Sequence, residues 1–189
     1  MLTMHERLRQ SARQLHDDVE KAVDVSGRIS SFDGYVDLLG RLWCLHAGFE
    51  RALQQHDLAV FSVDQDARRR SQWLVDDLQA LTGRPPSRLP VVITFDDAAS
   101  ALGALYVLEG STLGGQILLK QVTSAFPVSS VHGARFFTGH GDRTGAMWKE
   151  FLGTLARVIP DSPTGDQVER GAVLSFETVK HVLSSASVG

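Results

Sequence analysis

The sequence predicts an all-α fold, a single-domain helical bundle, and three observations carry that expectation. Apolar residues recur at steps of three and four along most of the chain. The one extended, Pro-bounded stretch stands alone, and a lone strand cannot fold by itself. The length of 189 residues, 43% hydrophobic and 22% charged, suits one globular domain over residues 1–189.

The elements follow in order. Leu8, Ala12, Leu15, Val19 and Val23 form one stripe, which predicts an amphipathic helix over residues 3–24, ended by Gly27. Ser31 or Asp33 can cap a second helix carrying Tyr35, Leu38, Leu39, Leu42, Trp43, Leu45, Phe49 and Leu53, a face wide enough to be central. A third is expected over residues 64–81, with Trp73, Leu74, Leu78 and Leu81 inward and Arg68, Arg69 and Arg70 in its first half. Gly83 and the Pro85-Pro86 pair stop it, and residues 85–93 read as an extended connection. Beyond Thr94 or Asp96 a helical pattern runs through Leu102, Leu105 and Leu108 to the segment 109–115. It is expected to break there and resume over 116–124. Residues 127–141 read as a loop containing Phe136 and Phe137. Thr144 opens a helix with Trp148, Phe151, Leu152 and Leu155, and a last helix covers residues 165–183, about seven in all.

Composition excludes several classes of function. Nineteen basic against twenty-two acidic side chains leave a net charge of −3, so no global field attracts nucleic acid. The single cysteine, Cys44, can make no internal disulfide and belongs to no zinc or iron–sulfur cluster. No secretory leader pattern and no run of 18 apolar residues is present, so the expected location is cytoplasmic, with no membrane span. H-E-x-x-H and paired E-x-x-H spacings are missing, which removes zinc-protease and ferritin-like di-iron readings. Gly110 and Gly115 have P-loop spacing, but Gln116 and Ile117 stand where lysine and Ser/Thr are needed, and no strand precedes them.

Eight of the 17 glycines lie between Gly103 and Gly145. Gly103, Gly110, Gly114 and Gly115 fall within a segment that is otherwise helical, where each costs about 0.8–1.0 kcal/mol relative to Ala. Two accounts offset that penalty. Gly110-x-x-x-Gly114 can let two helices approach closely, or a broad flat ligand can lie against bare backbone. The first helix offers a second wall: His16 sits at the margin of its apolar stripe, on a line with Arg9, Arg13 and Glu20. A neutral imidazole beside guanidiniums suits a ligand bearing iron and carboxylates. An ordinary ion-paired helix with a half-buried histidine fits the same spacing.

The string from Leu102 to Gln116, LGALYVLEGSTLGGQ, resembles the distal helix of haem (heme) oxygenases, particularly bacterial ones found alongside bacteriophytochromes. The segment from Leu8 to His16 resembles their proximal helix, and Phe136-Phe137-Thr138-Gly139 followed by Trp148-Lys149-Glu150-Phe151 resembles a later signature. The resemblance implies a haem oxygenase fold with haem held between proximal and distal helices. It implies His16 as the axial iron ligand and Arg9, Arg13 and Lys149 as cofactor-binding partners of the propionates. Gly110, Ser111, Gly114 and Gly115 become the catalytic distal segment.

The implied activity is oxidative cleavage of haem, both substrate and cofactor, to biliverdin, CO and ferrous iron. It uses O2 and an electron donor such as ferredoxin, flavodoxin or a reductase, and a biliverdin-using bacteriophytochrome is a candidate partner. The alternative is a carrier or sensor that binds haem without opening it. Two positions depart from the family pattern. Ser111 stands where mammalian members carry an acid, and Gly153 where a second basic residue is expected, with Arg157 one turn later.

Other polar groups are read more plainly. His46 and Glu50, one turn apart, are a satisfied core pair or a metal pair, and Arg68, Arg69 and Arg70 are a solvated face or a docking patch for an acidic donor. His140 is a loop residue where relatives often carry Tyr, and Cys44 is packed.

Overall fold

A computed structural model of the chain describes residues 2–184, with all their side chains except those at 20, 22, 23, 25 and 26. Every element expected as helical is helical, but several boundaries move. The first helix divides at Ala12 into α1 (Met4–Ser11) and α2 (Arg13–Val23). The rod is nonetheless continuous: Ala12 N donates to the Leu8 carbonyl at 2.9 Å and His16 N to the Ala12 carbonyl at 2.8 Å. Thr3 and Glu6 form a reciprocal capping box at its start. Asp24, left-handed at φ 37°, ends α2, and a single turn, α3 (Val25–Arg28), follows. The expectations for Glu20 and Val23 lie outside the described side chains.

Ser31 caps α4 (Phe32–Leu53) by accepting from Gly34 N at 3.1 Å. The third helix starts later than its apolar spacing predicts, as α5 (Ser71–Thr82), after two 3-10 turns. Its cap explains the delay. The Glu50 carboxylate, reaching over from α4, accepts from Arg70 N at 2.6 Å and Ser71 N at 2.8 Å. Gly83 ends α5 in a left-handed conformation at φ 71°. The following connection is extended, as expected, and Val91 N donates to the Cys44 carbonyl on α4.

The largest departure is α6 (Ala98–Ala125), one uninterrupted helix of 28 residues where a break at the glycines was expected. Backbone bonding tolerates the four glycines because neighbouring elements hold the helix on both sides. By length and composition α6 could cross a membrane, yet half of its most apolar window is buried. Residues 99–109 are buried without exception, the mark of a central core helix. The expected 127–141 loop contains one turn, α7 (Arg135–Thr138). Then come α8 (Thr144–Leu155) and α9 (Pro163–Ser184).

Helix α6 packs chiefly along α9, and α2 also lies on α9. At the α6–α9 crossing a Cβ on Gly103 would fall 1.9 Å from the Val168 carbonyl oxygen, and one on Gly171 would fall 1.9 Å from that of Ser100. Close packing is therefore the role of Gly103. Ion pairs fix the α1–α2 rod on the same support. Arg7 reaches Asp166 at 2.8 Å and also pairs with Glu169, and Lys180 reaches Asp18 at 2.9 Å.

Candidate functional site: a slot between α2 and α6

A cavity of about 510 Å³ opens between α2, α4, α6 and α9, with α7 and Trp148 of α8 also in its lining. Its volume lies within the range of small-molecule and cofactor sites, about 300–1,000 Å³. The lining is mostly apolar. Val19, Leu42, Leu45, Phe136, Phe137 and Phe176 are representative, which suits a flat hydrophobic ligand.

One wall carries His16, exposed to the opening and packed edge-on against Phe176 at 6.2 Å between ring centres. The facing wall is the segment of α6 from Tyr106 to Leu118, including Gly110, Ser111, Gly114 and Gly115. These glycines do not act alike. A Cβ on Gly114 would meet nothing within 4 Å, and one on Gly110 only the Trp148 ring at 3.8 Å, so both present bare backbone to the cavity. A Cβ on Gly115 would lie 3.2 Å from the Phe137 carbonyl oxygen, so this glycine seats α7 closely. Close helix packing thus explains Gly103, whereas the ligand account fits Gly110 and Gly114.

Arg9, Arg13 and Lys149 are exposed and do not line the cavity. Their sequence positions still set them beside it. Arg13 precedes His16 by one turn, and Lys149 follows Trp148. The Arg9 charge lowers the pKa of His5, after the larger lowering by burial, and it opposes the upward push that burial gives the Tyr106 phenol. His5 packs against both Tyr106 and Trp148 at 6.0 Å, so Arg9 is felt at the cavity rim.

The polar corner was not foreseen. Arg68 and Arg70 are 6% and 2% exposed, so the solvated-face reading of 68–70 holds for Arg69 alone. Arg68 pairs with Glu109 at 2.6 Å. Arg70 donates to the Leu108 carbonyl at 2.6 Å and stacks over Phe136 at 5.3 Å. His46 and Glu50 are both buried but serve different neighbours: His46 packs edge-on against Phe136 at 4.8 Å, and Glu50 caps α5. Burial, then the Arg70 charge, hold the His46 pKa well below the usual histidine value. No group of three or more metal-ligating side chains occurs among the described residues. Nothing in the run Arg68-Arg69-Arg70 distinguishes its two inward members. The aromatic walls Tyr106 and Trp148 lay within the family-like strings but carried no assigned role.

An apolar slot lined by an exposed imidazole and a stretch of bare backbone defines an all-helical protein with a site suited to a flat hydrophobic ligand. Comparison with known proteins makes this specific. The family model described as Heme oxygenase matches residues 2–185, and the chain belongs to that family. A heme oxygenase of Xanthomonas campestris pv. campestris (strain 8004) is 28% identical over 144 residues, spanning 76% of this chain and 85% of the relative. The solved structure of the NO- and CO-bound heme oxygenase from Neisseria meningitidis matches with a TM-score of 0.83. It covers 100% of this chain and 96% of that one at 23% identity, a likeness of fold. The protein is an oxygenase that degrades haem, its substrate and cofactor together.

Proposed function

We propose that the α2–α6 slot is where haem is bound and opened to biliverdin, CO and ferrous iron. The carrying observation is that His16 and the unobstructed Gly110–Gly114 backbone line opposite sides of one apolar cavity. The residues present suit the group: the exposed imidazole of His16 for iron, apolar walls for the ring, and cations near the rim for two carboxylates.

Bound haem supplies the iron that activates dioxygen and is itself the ring that is cleaved. The chain's share of the work is orientation and exclusion. His16 would hold the group by its iron. Arg9, Arg13 and Lys149, exposed beside the slot, would pair with the propionates and so orient the ring. Gly110 and Gly114, bare of side chains, would let the ring and its small gaseous co-substrate lie close to the α6 backbone. Leu42, Leu45 and Phe136 would keep bulk water off the bound ring. Ser111 supplies a hydroxyl at the same face, although its oxygen also donates to the Leu108 carbonyl at 2.6 Å.

Electrons come from a separate donor such as ferredoxin, flavodoxin or a reductase, and the biliverdin can serve a bacteriophytochrome. A single domain over residues 1–189, working in the cytoplasm, completes the reading. Haem titration of the wild type and of His16→Ala tests it. The wild type should give a Soret band with imidazole ligation that the variant lacks. An identical spectrum in both would remove His16 from the iron.

A further inference from the structure

Asp77 on α5 is 1% exposed, and an aspartate almost never lies that deep without a partner. Its partners are two successive backbone amides. Arg135 N donates to Oδ1 and Phe136 N to Oδ2, each at 2.8 Å, so one carboxylate holds the start of α7 with both its oxygens. Its neighbour Asp76 is exposed.

A single turn such as α7 has few hydrogen bonds of its own to stabilise it, and side chains of other helices fasten it from outside. Gln116 Nε2 of α6 donates to the Thr138 carbonyl at 2.9 Å, and Tyr35 Oη of α4 donates to the Gly133 carbonyl at 2.6 Å. The Arg135 guanidinium stacks over Trp73 of α5 at 4.0 Å and closes the turn by donating to the Gly139 carbonyl at 2.7 Å.

What α7 carries is two aromatic rings of the slot. Phe136 and Phe137 both line it, Phe136 against His46 and Arg70, and Phe137 beside the Tyr35 ring at 6.3 Å. Among the described residues Arg70 is the one Arg or Lys in that lining, and it is committed to the Leu108 carbonyl. Arg9, Arg13 and Lys149 stand outside the lining and are exposed. A ring with its carboxylates along one edge can leave them among those cations and bury the rest. A ring with carboxylates on both edges must bring some of them into apolar lining, where they lose water and gain no partner.

We propose that Asp77 is the positioning residue that fixes the Phe136–Phe137 wall, and that this wall makes the slot selective for porphyrins with carboxylates along one edge only. The inference rests on the haem-binding reading and names what that site rejects. Asp77 does not line the slot and acts through α7. If the wall loosens, water enters with the second carboxylate edge and its penalty falls.

Three variants test this: Asp77→Ala, Asp77→Asn and Gln116→Leu. Two readouts are used, amide hydrogen exchange of the ligand-free protein, and the affinities for ferric protoporphyrin IX, with two carboxylates, and ferric coproporphyrin III, with four. The wild type should bind the first ring about tenfold more tightly than the second, or better. In Asp77→Ala the amides of 135 and 136 should exchange about tenfold faster or more while those of α9 are unchanged, and the affinity ratio should fall. Asp77→Asn keeps one acceptor and should recover part of both effects. Gln116→Leu frees the other end of α7 and should also lower the ratio.

Wild-type exchange at 135 and 136 in Asp77→Ala would overturn the proposal. So would faster exchange with the ratio unmoved, both rings weakened alike, or a wild type that binds the two rings equally. If Asp77→Ala does not fold, Asp77→Asn and Gln116→Leu decide. A wild type that binds neither ring would sink the haem-binding reading instead, and the exchange comparison would still report on what Asp77 fastens.

Discussion

The same substitution, glycine to alanine, should have opposite effects at two positions eleven residues apart on α6. At Gly114 an added Cβ meets nothing within 4 Å. The helix there gains propensity and loses none of its packing, so Gly114→Ala should stabilise the ligand-free protein by about 0.8–1.0 kcal/mol. For a domain of this size that corresponds to a Tm rise of about 2–4 °C. At Gly103 the same Cβ falls 1.9 Å from the Val168 carbonyl oxygen and 2.8 Å from Ala172 N, where ordinary contact begins at 3.4 Å. Helices α6 and α9 must then separate by roughly 1.5 Å against a packed core. Overpacking of this kind costs about 1–3 kcal/mol, and here the opposing atoms are rigid backbone, so the propensity gain is outweighed. Thermal and urea unfolding of the ligand-free proteins measure both effects. Haem titration should add that Gly114→Leu, which extends a side chain into the slot, binds haem more weakly than the wild type. A destabilised Gly114→Ala, or a Gly103→Ala as stable as the wild type, would refute the division of these glycines into ligand-facing and packing roles.

Other outcomes follow from the same geometry. Reversing charge at the rim, Arg13→Glu or Lys149→Glu, should weaken haem binding or shift the ratio of biliverdin isomers, read by titration and product chromatography; no change in either would remove the residue from the propionates. Acid should destabilise the fold through two histidines. Burial first, then the nearby arginines, lower the His140 pKa to about 4, and burial first, then Arg70, hold that of His46 well below the usual histidine value. Because the unfolded chain binds these protons first, their contribution is intact above pH 6.5 and is lost as pH falls from there toward 4. Burial pushes the Glu109 and Asp77 carboxyls up, which works in the opposite sense below about pH 5. Comparison with His140→Gln isolates the histidine: urea midpoints measured across this range should slope less steeply in the variant, and parallel slopes would contradict the lowered pKa of this half-buried side chain.

Helix positions were legible in the sequence because apolar spacing reports which face is buried, and α4, α8 and α9 lie close to where that spacing puts them. Errors arose where a distant partner overrode local signals. The start of α5 is set by Glu50 from another helix, so no residue within residues 64–70 announces it. The glycines suggested a broken α6, yet contact with α9 and α7 keeps it continuous. The slot's two principal walls, His16 and the 110–115 segment, were visible as motifs. Its polar corner was not, because burial of Arg68 and Arg70 depends on Glu109, Leu108 and Phe136, which meet them only after the chain has folded.

The central claim is that this slot opens the ring it binds. Aerobic incubation of the protein with haem and an electron donor, followed by absorbance and product analysis, tests it most directly. The Soret band should decay while biliverdin and CO appear together with released ferrous iron. A Soret band that persists under these conditions, with no biliverdin formed, would contradict the claim and leave a haem carrier or sensor in its place.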